Sequence, residues 1–166
     1  MDIIVLSDEE LKIYNKIIEN RDVYGINSNR YDNVFISNKF VSGFRDETTN
    51  IEKLTEFFNN SYSLDVDRKL LESFIQNNSK KQSLDKNTKF KYNFYWSEDN
   101  KNYLSKKDDF DVFLSFSRIG FNECHTRAFL YTSHFFGPLS AMGGYTLLDK
   151  VNEKWNVKEF IERWVS

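Results

Sequence analysis

The stretch from Asp111 to Trp155, DVFLSFSRIGFNECHTRAFLYTSHFFGPLSAMGGYTLLDKVNEKW, constrains this chain more than any other. Successive side chains of a strand point to opposite faces, so alternation identifies one. Val112, Leu114 and Phe116 fall on one face of a first strand, with Phe113, Ser115, Ser117 and Ile119 on the other. Asn122-Glu123-Cys124-His125 makes a turn. The return strand puts Ala128, Leu130 and Thr132 on one side and Arg127, Phe129, Tyr131 and Ser133 on the other. A loop is expected from His134 to Gly143, then a third strand through Tyr145, Leu147 and Leu148. Asn152-Glu153-Lys154 turns the chain into a last short strand at Trp155 and Val157, and Lys158 to Ser166 reads as a helical turn or an irregular strand. Connections this short join antiparallel neighbours, so the stretch predicts a meander. A sheet of this kind has a face that helices must cover.

Those helices are legible upstream. Ser7 and Glu10 form a capping box, in which hydroxyl and carboxylate each satisfy an otherwise unpaired amide, and Leu6 and Leu11 occupy the staple positions across it. Leu11, Tyr14, Ile17 and Ile18 repeat at helical spacing, with Glu10, Lys12, Lys16 and Glu19 on the polar side and an end at Asn20. Thr49 or Asn50 caps a second helix carrying Ile51, Leu54, Phe57 and Phe58, and Asp65 or Asp67 starts a third carrying Leu70, Leu71, Phe74 and Ile75. Short strands are expected at Val23–Ile26, Val34–Ile36 and Lys39–Val41, and a longer one at Lys89–Trp96. Gln76 to Asn87 is polar without period and reads as a loop that tolerates a nick. The fold expected is a single α+β domain over residues 1–166, a twisted antiparallel sheet ending in the meander, with the N-terminal and middle helices packed on one face.

The 166 residues suffice for one core without staples, and sixteen Phe and nine Tyr exclude disorder over most of the chain. One cysteine makes no internal disulfide and no cysteine-based zinc site. Ile3-Ile4-Val5-Leu6 is too short for a signal-peptide core, and no apolar run spans a bilayer, so a cytoplasmic protein without membrane contact is expected. A net charge of −2 argues against nucleic acid held through its phosphates.

The residue types suited to chemistry gather in the same C-terminal stretch. Cys124 and His125 invite a nucleophile-and-base reading, but neighbours in extended backbone face apart, and an exposed turn pair is the plainer one. His125 and His134 show no metal-binding spacing, and no metal or other cofactor is expected. Gly137, Gly143 and Gly144 flank Pro138 without a phosphate-loop lysine, and tight turns at positive φ explain them more simply. Ser117, Arg118 and His134 are the residues for a pocket on the sheet face. Asp108, Asp109 and Asp111, with the aromatic pair Tyr95 and Trp96, are the residues for contacts to a partner.

The run S-R-I-G-F-N (Ser117 to Asn122), T-R-A-F-L-Y (Thr126 to Tyr131), then G-P-L, G-G-Y, L-x-K and K-W resembles a family of small, uncharacterised bacterial proteins. The likeness covers roughly the last third of the chain. Relatives in that family often carry cysteines where this chain has Phe136 and Ser140. The resemblance implies a shared α+β fold and no particular reaction.

Small size, acidic balance and no assembled catalytic set point to a non-enzymatic protein-binding protein. Its most concrete form is a cytoplasmic immunity protein that neutralises a bacterial toxin domain, with a basic toxin as partner. The alternative is a small hydrolase or ligand-binding enzyme that uses Ser117, Arg118 and His134.

Overall fold

In the computed structural model, residues 1–20, 34–41, 51–62, 66–91, 95–97, 112–137 and 140–165 are described. The N-terminal helix α1, Asp8–Glu19, begins at the capping box read from sequence. The Glu10 amide donates to Ser7 Oγ at 3.2 Å, and the Ser7 amide donates to Glu10 Oε2 at 3.0 Å. Ile13, Tyr14, Ile17 and Ile18 are buried along one stripe, and the helix ends at Asn20. Helices α2, Ile51–Tyr62, and α3, Arg68–Asn77, follow. Asp67 caps α3 by accepting from the Lys69 amide at 2.9 Å.

Nine strands occur among the described residues: β1 (Asp2–Ile4), β2 (Val34–Ser37), β3 (Gln82–Leu84), β4 (Tyr95–Ser97), β5 (Val112–Phe116), β6 (Gly120–Phe121), β7 (Arg127–Gly137), β8 (Ser140–Val151) and β9 (Lys154–Val165). Seven of them make one sheet in the order β4-β2-β5-β7-β8-β9, with β6 paired to β7. From β5 onward the pairing is antiparallel, which is the expected meander. The pairs β2–β4 and β2–β5 are parallel, so the sheet as a whole is mixed. Strands β1 and β3 form a separate two-stranded parallel sheet.

The α+β class therefore stands, and the helices divide between the two faces of the sheet. Helix α1 packs with Val112, Leu114, Phe116, Ala128, Leu130 and Leu148. Helices α2 and α3 pack with Phe129, Tyr145, Leu147 and Ile161. The alternation along β7, with Ala128 and Leu130 in one cluster and Phe129 in the other, sets the two against opposite faces. All five residues of β5 are buried, as a strand covered on both sides requires. Sequence places the helices on one face because their stripes carry no label for the face they cover. Rings then lock the second side: Phe74 meets Phe129 edge-on at 5.1 Å, and Phe58 meets Tyr145 at 5.2 Å. Such pairs add about 1 kcal/mol each beyond burial.

Several local expectations change. Gln76 to Asn87 is no open loop: α3 runs to Asn77, and Gln82–Leu84 is β3 with Leu84 buried. Lys39–Val41 is reduced to a bridge from Lys39 to Ser83. Of the expected strand at Lys89–Trp96, Tyr95 and Trp96 lie in β4, Lys89 to Lys91 is irregular with Phe90 buried edge-on to Tyr14, and 92–94 lie outside the described residues. The long loop expected at His134 to Gly143 is almost all strand, because β7 continues to Gly137 and β8 starts at Ser140. Lys158 to Val165 belongs to β9, and apolar Ile3-Ile4 lies in β1. The expected strand at 23–26 and the alternative caps Thr49, Asn50 and Asp65 lie outside the described residues.

Candidate functional site

Between β5 and β6 the chain leaves the regular ladder at Ser117, Arg118 and Ile119, which frees backbone groups that a folded interior must pair. Ser117 pairs twice with β7: its amide donates to the Tyr131 carbonyl at 2.9 Å, and its hydroxyl accepts from the Tyr131 amide at 2.8 Å. Tyr14 donates its hydroxyl to the Ser117 carbonyl at 2.7 Å. Burial raises the Tyr14 pKa well above the ordinary phenol value, with the Glu10 charge adding to it. Asn78, one residue beyond α3, accepts from the Arg118 amide at 2.8 Å and donates to the Arg118 carbonyl at 3.1 Å. Asn77 donates to the Ile119 carbonyl at 2.8 Å, and Ser73 accepts from the Phe121 amide at 3.0 Å.

The Arg118 side chain runs the other way, into α1. Its Nη2 meets Glu10 Oε1 at 2.8 Å, with only 15 % and 10 % of the two side chains exposed. Its guanidinium lies 5.5 Å from the Phe40 ring centroid. Glu10 thus serves the cap and the ion pair together, and it is buried rather than on the polar side of its helix.

His134 is elsewhere. It sits on β7 opposite Leu114 and Met142, three residues beyond Tyr131, or about 10 Å along the strand. It is buried, and burial lowers its pKa to about 3, so the ring is neutral at ordinary pH. Ser117 and Arg118 are neighbours in one structural node, and the fold does not bring His134 to them. Tyr95 and Trp96 lie on β4, the last strand at one end of the sheet order. Asp108, Asp109 and Asp111 lie outside the described residues.

The turn pair is resolved by geometry. Cys124 is exposed, and His125 at φ 53° stacks its ring on Phe121 with centroids 4.7 Å apart. Asn122 holds the turn by accepting from the Thr126 and Arg127 amides, each at 2.9 Å. Gly143 and Gly144 answer to space rather than to positive φ. A Cβ on Gly143 would collide with Trp164 Nε1 and Tyr131 Oη, which are themselves hydrogen-bonded at 2.6 Å. A Cβ on Gly120 would come within 2.5–2.7 Å of the Phe74 backbone and Cβ.

Sequence reasoning missed a second node. Lys150 donates to Glu9 Oε1 at 2.7 Å and Trp155 Nε1 donates to the same oxygen at 2.9 Å. The Lys150 hydrogen bond holds the Glu9 carboxyl below its usual range, with Trp155 contributing in the same direction. It also missed Asn77 and Asn78, although two carboxamides at a helix end were a visible sign of backbone capture.

Two surface or face features complete the picture. Met1, Ile3 and Val5 are 72 %, 69 % and 76 % exposed, at alternate positions along and beside β1. Among the described residues β1 pairs only with β3, and the Ile4 carbonyl accepts from the Asp85 amide, so by strand alternation Ile3 turns its amide to the open edge. On the α2–α3 face a row of small side chains crosses the large sheet: Ser115 opposite Ser133, Ser133 opposite Gly143, and Ser37 beside Ser115 by the Ile36–Leu114 register. Among the described residues no group of three or more His, Cys, Asp or Glu could hold a metal ion, and no helix is long and apolar enough to cross a membrane. Compared with protein-family models, curated proteins and solved structures, the chain finds no match.

Proposed function

We propose that this chain is a non-enzymatic protein-binding protein, most concretely a cytoplasmic immunity protein that neutralises a bacterial toxin domain. The observation that carries the binding reading is the exposed strip Met1, Ile3 and Val5 on a strand that, among the described residues, pairs along one edge alone. Apolar side chains grouped on such an edge mark a surface suited to contact with another chain. A second support is the duty of Ser117 and Arg118, whose hydrogen bonds and ion pair hold the fold together. The acidic residues Asp108, Asp109 and Asp111 remain the proposed contacts for a basic toxin, with Tyr95 and Trp96 as aromatic anchors on the end strand β4. The likeness of the C-terminal third to small bacterial proteins belongs to the same proposal.

The test is co-expression with the product of the neighbouring gene. A stable complex that survives gel filtration, and survival of cells that otherwise die from that product, are the expected results. Neither complex nor protection would overturn the immunity reading.

A further inference from the structure

We draw no further inference here: the strongest candidate, the row of small side chains Ser37, Ser115, Ser133 and Gly143 across the α2–α3 face of the sheet, is a stripe of small residues with no second feature beside it that points to a ligand.

Discussion

Arg118 joins three parts of the molecule that are far apart in sequence. Its main chain is held by Asn78, its charge by Glu10, and its guanidinium plane lies near Phe40. Removing one partner of a buried pair leaves the other charge short of compensation, at a cost of about 3 kcal/mol. Arg118→Ala should therefore lower the unfolding free energy measured in urea by that order. Arg118→Met combined with Glu10→Gln should cost less than the two single changes summed. Strict additivity in that cycle would show that the ion pair does not couple the two sites. His134 makes a pH prediction. Its folded pKa of about 3 lies below its ordinary value of 6.5, so the unfolded chain takes up the proton first as pH falls. The stability associated with the neutral ring is fully present above about pH 6.5 and is lost between there and pH 3, at roughly 1.4 kcal/mol per unit. Urea unfolding at pH 7, 6, 5 and 4 should show a shallower decline for His134→Leu than for the parent. Equal slopes would sink this account.

At the scale of elements, what was legible depended on whether the signal is local. The capping box of α1, the stripes of α2 and α3 and the antiparallel order of β5, β7, β8 and β9 are written in neighbouring residues and are legible there, whereas the full lengths of β7, β8 and β9 are not. β1 and β3 were not, because each has three residues and is defined by a partner about eighty positions away. Gly143 and Gly144 suggested a loop, yet β8 runs through both. Gly143 lies where the Trp164 and Tyr131 side chains meet, and Gly144 lies under the Phe160 ring. The candidate pocket failed to assemble for a related reason: period two assigns a face but not the position along a neighbour, and three residues of β7 separate His134 from the Ser117 contact. Asn78 belongs to this scale, since it ties the end of α3 to the bend between β5 and β6. Asn78→Ala takes from the part-buried Arg118 amide its side-chain acceptor and leaves the Arg118 carbonyl with the Ser117 hydroxyl as donor, and it should cost about 2 kcal/mol. A shift of under 1 kcal/mol in chemical unfolding would mean that water replaces the side chain there.

For the whole molecule, stability and recognition should separate cleanly. Ile3 and Val5 are exposed and contribute little to either core, so Ile3→Asp with Val5→Asp should leave the melting temperature within about 2 °C of the parent. The same variant should lose at least tenfold in affinity for the partner found by co-expression, measured by calorimetry. Unchanged affinity would move the binding surface away from β1, toward Asp108, Asp109, Asp111 and the β4 end. β9 closes the opposite end of the sheet order, and its two register shifts, near Gly143–Gly144 and Leu147–Leu148, break the flat edge that a stray strand would copy.

The bonds that hold α1 also bear on how the chain is made. Tyr14 is tied to Ser117, Glu10 to Arg118, and Glu9 to Lys150 and Trp155. Helix α1 therefore has to wait until Trp155, 146 residues after Glu9, has been added before its last partner exists. Until the strands of the sheet exist its apolar stripe of Ile13, Tyr14, Ile17 and Ile18 has no finished sheet to cover, so the native contacts of α1 form after Val112 to Trp155 have emerged.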